Sequence, residues 1–261
     1  MRRLALVTGA SAGIGAAFAR TYAAAGYDVA LTARRGDRLE TLAAEIGRDH
    51  GVEAYPLAAD LADPAAPERL MQEIAARGRV VDALVNNAGY GRIGPYAASD
   101  WAEHRAFLQV MTVAVAELAH RALPGMAERR FGRIINVASL LALTPAIPDH
   151  GLYSAAKAFV VKFSEGLHLE TLGTGVHVTA VCPGLTRSEF HTDPALRAPT
   201  EPAPTWLWMR AEAVAEQGFE ASEANRPVCV TGAANKAVAA AAHLLPPSWG
   251  LAMVARRYRK P

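Results

Sequence analysis

The start of the chain constrains its fold most. Leu4-Ala-Leu-Val7 is a short continuous apolar run, the pattern of a strand buried on both faces. It leads into Thr8-Gly9-Ala-Ser-Ala-Gly13-Ile-Gly15 and then an Ala-rich helical segment reaching about residue 25. Glycines at such a junction let the backbone turn tightly and approach another group closely. Gly26-Tyr-Asp28 returns the chain to a second apolar run, Val29-Ala-Leu-Thr-Ala33. This is a β-α-β unit, and it commits the chain to a parallel sheet.

The rhythm continues. A helix is predicted over 37–48 and a strand over 52–56. Asp63-Pro64 reads as a cap with proline at the first helical position, opening a helix that ends near residue 78. Strands follow at 81–85, 133–138, 176–182 and 228–230, with helices at 99–128, from Tyr153 onward and at 235–245. The pattern predicts one α/β domain over 1–261: a Rossmann-type, doubly wound parallel sheet of about seven strands with helices on both faces. Only 186–227 breaks it, with Pro194, Pro199, Pro202 and Pro204 and then a helical piece over 206–218. It reads as a lid inserted in the domain. Residues 249–261, ending Arg256-Arg257-Tyr258-Arg259-Lys260-Pro261, read as a solvated basic tail.

With 51% hydrophobic and 20% charged residues, the chain can bury a large core and is too apolar for disorder. A net charge of +2 is too small to imply a nucleic acid or a membrane surface as partner. Cys182 and Cys229, each inside an apolar run, are expected to be reduced core residues, with neither a disulfide nor a metal site. No uncharged apolar run is long enough to span a bilayer and no signal segment is visible, so the cytoplasm is the expected compartment.

The chemistry is legible at three places. A pyrophosphate at the Gly9/Gly13/Gly15 turn would meet the N-terminus of a helix, whose free N–H groups favour anions. The second strand ends Ala33-Arg34-Arg35, where a carboxylate would be needed to grip a ribose 2′-hydroxyl. Two guanidiniums suit a 2′-phosphate instead, so NADP(H) is expected over NAD(H). Asp60 is placed to accept a hydrogen bond from an adenine amine. Finally, Tyr153 and Lys157 lie four apart, hence on one helix face. A cation beside a phenol is expected to lower its pKa from about 10 and make it a proton donor or acceptor.

Taken together, the Thr8–Gly15 turn, Asn86-Asn-Ala-Gly89, Ser139, Tyr153-x-x-x-Lys157 and Pro183-Gly184 resemble the short-chain dehydrogenase/reductase family, over about 4–245. The resemblance implies that Tyr153 exchanges a proton with the substrate oxygen as hydride moves, and that Ser139 hydrogen-bonds that oxygen. Lys157 would hold the nicotinamide ribose and depress the Tyr153 pKa. Ser11, Ile14, Leu61, Asn87, Ala88 and Gly89 would line the cofactor cleft, with Pro183, Gly184 and Ser188 near the nicotinamide. A homodimer or homotetramer through the two long helices is implied as well.

Two departures stand out. The long-helix asparagine that completes the family's tetrad falls at Met111, and a thioether is a poor acceptor. The Ser139–Tyr153 interval is one residue long, with the excess in Leu143-Thr-Pro-Ala-Ile-Pro-Asp-His150, so His150 is a candidate substrate contact. Phe190, Trp206 and Met209 make the inserted segment apolar and are candidate substrate residues. The expectation is an NADPH-dependent carbonyl reductase, or alcohol dehydrogenase in reverse, acting on an apolar carbonyl or alcohol. The alternative is an NADP(H)-binding sensor or scaffold with little turnover, suggested by Met111.

Overall fold

The computed structural model describes residues 1–191 and 203–258. Its main sheet has seven parallel strands: β1 (Leu4–Thr8), β2 (Asp28–Ala33), β3 (Ala54–Ala58), β4 (Ala83–Asn86), β5 (Gly132–Val137), β6 (Val176–Cys182) and β9 (Val228–Val230), in the order β3-β2-β1-β4-β5-β6-β9. Two further strands, β7 (Thr186–Arg187) and β8 (Met209–Arg210), form a small separate pair.

Helices cover both faces. On one lie α1 (Gly13–Ala24), α2 (Gly36–His50) and α7 (Ala211–Glu223), packing Phe18, Tyr22, Leu39, Ile46 and Val214 against Ala5, Val7 and Leu31. On the other, α3 (Ala66–Ala76) and α5 (Ala114–Glu128) bury Leu70, Ile74, Leu118 and Met126 against Leu4, Leu6 and Leu84. Successive β1 residues therefore enter opposite cores, which is why the run is apolar throughout. α6 (Tyr153–Glu170) packs beside β5 and β6, and α4 (Trp101–Leu108) leads into α5. Trp101–Glu128 is long and apolar enough by length and composition to cross a membrane, but its inner side is built into this core.

Four local readings are corrected. The third helix begins at Ala66, because the Asp63 carboxylate accepts the Ala65 N–H at 2.9 Å and holds a separate turn ahead of it. The long helix is interrupted by a π turn, Gln109–Val113. The helix predicted over 206–218 is a short 3₁₀ turn, Thr205–Leu207, followed by β8 and α7, whereas Pro194, Pro199 and Pro202 lie outside the described residues. Lastly, the basic tail is a helix: after α8 (Ala233–Leu244), Pro247 opens α9 (Pro247–Tyr258). Arg259 and Lys260 lie outside the described residues.

Candidate active site

Strand order reverses between β1 and β4, and the crevice at their carboxyl ends is where open α/β sheets place their sites. The glycine turn sits there. Gly9 (φ +66°) and Gly13 (φ +56°) adopt left-handed backbone. A Cβ on Gly15 would collide with the Gly9 carbonyl and come 2.5 Å from Asn87 Nδ2. Asn87 pins the turn by donating to the carbonyls of Thr8 (3.0 Å) and Gly9 (3.3 Å). Thr8 Oγ1 in turn accepts the N–H groups of Asn87 and Ala88. The helix cap, Ala12, supplies no side-chain acceptor, which leaves the first N–H groups of α1 to an outside anion. A pyrophosphate fits this cradle. Ile14 is partly buried and packs on the core beneath.

At the end of β2, Arg35 forms an ion pair with Glu189 at 2.9 Å and donates to Ser11 Oγ at 2.8 Å. Arg38 joins it on the same carboxylate. Arg34 is exposed, with no ion pair among the described residues. The predicted phosphate grip is thus a cluster that already holds one anionic group. Neither Arg38 nor Glu189 was singled out from the sequence. Arg38 follows Arg35 by three, a spacing that shares a helix face; Glu189 comes from the inserted segment and carries no such signal.

Ser139 follows β5, while Tyr153 and Lys157 open α6, so sheet and helix together assemble the predicted set. A buried polar chain fixes their relation. Asn86 Nδ2 donates to Asn136 Oδ1 (2.9 Å), Asn136 Nδ2 to Ser164 Oγ (2.9 Å), and Ser164 Oγ to the Val160 carbonyl (2.7 Å). This clamps β4, β5 and α6 about three turns below Tyr153. Lys157 is 6% exposed and its Nζ donates to the Val137 carbonyl at 2.7 Å. The ammonium lies 5.9 Å from the Tyr153 ring centroid.

The electrostatics correct the expected pKa shift. Burial pushes the Tyr153 phenol up to about 12, and its hydrogen bond with Ser139 offsets only part of this. Burial also brings Lys157 down to about 8. Lys157 spends a hydrogen bond on Val137 and does not lower Tyr153. The phenol therefore keeps its proton throughout the neutral range. The arrangement suits donation.

Met111 sits in the π turn, 1% exposed, in a small apolar cluster with Phe107 and Ala156 against which Leu152 and Tyr153 pack. A Cβ on Gly89 would come 2.9 Å from its Sδ, so Gly89 belongs to the Met111 packing. The thioether fills this space without needing a partner. Met111→Asn is accordingly expected to leave a buried amide poorly satisfied, costing about 1–3 kcal/mol of stability, without raising kcat. Thermal melting and steady-state kinetics check this; a large gain in kcat would mean that Met111 marks a degraded site.

The other predicted residues divide clearly. Phe190 meets the Tyr153 ring with centroids 5.9 Å apart, and Ser188 lies against the glycine turn, 2.8 Å from where a Gly13 Cβ would stand. His150 shares a small pocket with Arg92, Tyr96, His104 and Phe107, and its carbonyl accepts the Tyr153 N–H at 3.0 Å. Pro183 accepts the Leu140 N–H, while Gly184 gives room to Asn235, 2.5 Å from where its Cβ would stand. Asp60 is exposed and its carboxylate accepts the Ala62 N–H, shaping its own turn. Leu61 is a core residue. Met209 packs against Gly232, and Trp206 is 70% exposed; neither is brought to Tyr153.

Known proteins share this sequence pattern and fold. The short chain dehydrogenase family model matches residues 3–196. A short chain dehydrogenase of Pseudocercospora fijiensis is 39% identical over 72% of this chain and 61% of its own length. The NADP-dependent 3-hydroxy acid dehydrogenase YdfG of Salmonella typhi is 37% identical over 70% and 72%. Among solved structures, a Sphingobium yanoikuyae short-chain dehydrogenase in complex with NADPH superimposes with a TM-score of 0.79 at 28% identity, covering 99% of this chain and 98% of its own. The bulky-bulky ketone specific alcohol dehydrogenase of Comamonas testosteroni gives 0.77 at 25% identity, covering 99% and 97%. The chain belongs to the short-chain dehydrogenase family and is an oxidoreductase of that family.

Proposed function

We propose that the protein is an NADP(H)-dependent carbonyl reductase, or alcohol dehydrogenase in reverse, for an apolar ketone or secondary alcohol. The observation that carries this reading is Tyr153: half-buried, held protonated, hydrogen-bonded to Ser139 and one turn from Lys157. A nicotinamide dinucleotide, when bound, supplies or accepts the hydride. The glycine turn and the α1 N-terminus hold its pyrophosphate, and Ser11, Arg34, Arg35 and Arg38 receive the 2′-phosphate. Ser139 orients the substrate oxygen, and Tyr153 Oη gives that oxygen its proton or takes it back. Lys157, charged below about pH 8, sits behind the phenol as the next group able to replenish the proton. Phe190 over the Tyr153 ring excludes water and favours an apolar substituent.

NADP preference is supported by the two guanidiniums already sharing one carboxylate. Binding titrations are expected to show NADPH tighter than NADH, with Arg35→Ala narrowing the gap about tenfold or more, as loss of a charge-assisted hydrogen bond implies. Equal affinities in the unmodified protein contradict this.

Assembly as a homodimer or homotetramer fits the exposed Val113, Phe159 and Leu169 on the long helices. A reducing compartment, the cytoplasm, fits the free, buried Cys182 and Cys229.

A further inference from the structure

Beyond residue 196, where the family match ends, the chain changes character. Glu223 is its last acidic residue; after it come only cations, at Arg226, Lys236, Arg256, Arg257, Arg259 and Lys260. The net charge of +2 thus hides a segregated basic segment. The same segment carries large apolar side chains in water. Leu244 is 82% exposed, Trp249 65%, Met253 62% and Leu251 53%. In α8 only Asn235 is buried, and in α9 only Gly250.

The pattern is specific. Trp249, Ala252, Met253 and Arg256 recur at i, i+3, i+4 and i+7, placing an aromatic, a long apolar side chain and a cation on one exposed face. α8 and α9 are together apolar enough for a membrane segment, but they are bent by 116°. Each has 12 residues and is about 18 Å long, well short of the roughly 30 Å hydrocarbon core. Such a pair is too short and too sharply bent to span the hydrocarbon core.

We infer that the α8–α9 face docks on an anionic membrane surface, with Trp249 and Met253 entering the headgroup boundary and Arg256, with Arg257 at its edge, meeting lipid phosphates and carboxylates. Interfacial helices combine these features: Trp and Leu on one side, arginines beside them, and attraction to anionic lipid. Charge complementarity favours lipid over a second copy of the chain. A two-fold contact would press this patch against itself, bringing arginines together with no acid in the segment to answer them.

The buried side of α9 also touches the loop that links Ser139 to Tyr153. Gly250 packs so closely on Pro145 that a Cβ there would come 2.6 Å from Pro145 Cγ. Pro145 belongs to the loop between Ser139 and Tyr153, so docking would set that loop beside the lipid, from which an apolar ketone could enter. This last step rests on the reductase reading; the docking itself does not.

The test is co-sedimentation of the full chain with vesicles of phosphatidylcholine alone or with about a third phosphatidylserine. Binding is expected only to the anionic vesicles, falling several-fold as salt is raised. Trp249→Ser with Met253→Ser, both at exposed positions, should weaken it at least tenfold, and Arg256→Gln with Arg257→Gln at least fivefold, with melting temperature unchanged. Equal binding to both vesicle types, or no binding, overturns the proposal. So does a dimer, seen by size-exclusion chromatography, that Trp249→Ser dissociates while vesicles are ignored. Because the readout is sedimentation, a failed reductase assay leaves this result intact.

Discussion

Tyr153→Phe is expected to lower kcat for ketone reduction by about 10²–10⁴-fold, the usual range for a lost general acid, while NADPH affinity stays within about twofold. The phenyl ring keeps every packing contact described for the tyrosine, with Phe190 above it and Met111, Ala156 and Leu152 beside it. Only the hydroxyl is lost, so the fold and the cofactor cleft should survive. A loss of NADPH binding equal to the loss of rate would instead assign Tyr153 a structural role. The pH profile follows from the same burial. With Tyr153 near 12 and Lys157 near 8, both hold their protons below about pH 8. Reduction is expected to be level there and to decline as pH rises through about 8, where Lys157 discharges and Tyr153 does not. Lys157→Met should erase that decline along with most of the rate.

The second large effect is expected at Gly15. An alanine Cβ there strikes the Gly9 carbonyl and approaches Asn87 Nδ2, and neither can retreat. Gly9 is backbone in a left-handed turn, and Asn87 is tied to both Thr8 and Gly9. Gly15→Ala must open the turn, costing about 1–3 kcal/mol as an overpacked site. For a chain of this size that is roughly 2–4 °C in Tm per kcal/mol. NADPH affinity should fall at least tenfold because the N–H groups of α1 no longer converge. Gly47→Ala is the control. Its Cβ would meet only the Val52 carbonyl at 3.7 Å, an ordinary contact inside a helix, so stability should rise by about 0.5–1 kcal/mol with cofactor binding unchanged. If the two variants behave alike, the cradle is not what holds the cofactor.

Where one local rule decided the outcome, the sequence was readable. β1 was visible because a strand buried on both faces has to be apolar throughout, and the glycine turn because its backbone tolerates no Cβ. Helical spacing puts Tyr153 and Lys157 on one face, and the glycine turn and the other motifs around them mark that face as a site. Features requiring knowledge of what lies across space were not readable. Tyr153 was expected to be acidified by Lys157, but the shift depends on burial and on the Val137 carbonyl that takes the ammonium. Asn136 and Ser164 read as ordinary polar residues until β5 and α6 are brought together. The π turn around Met111 leaves no mark in composition, because its residues suit an α-helix equally well. α9 reads as a tail in sequence because Trp249, Leu251 and Met253 lie two apart among small residues, a spacing with no helical period.

The central claim is that hydride passes between NADPH and a carbonyl carbon while Tyr153 protonates the oxygen. Isotope transfer tests it most directly. The enzyme is incubated with an apolar ketone and NADPH carrying deuterium at the transferable position of nicotinamide C4, and the alcohol is read by mass spectrometry. The account predicts one deuterium on the carbinol carbon with the unmodified protein, and a rate of label transfer reduced by about 10²-fold or more with Tyr153→Phe. Label transfer that proceeds equally in both proteins, or an alcohol formed without deuterium, would contradict it.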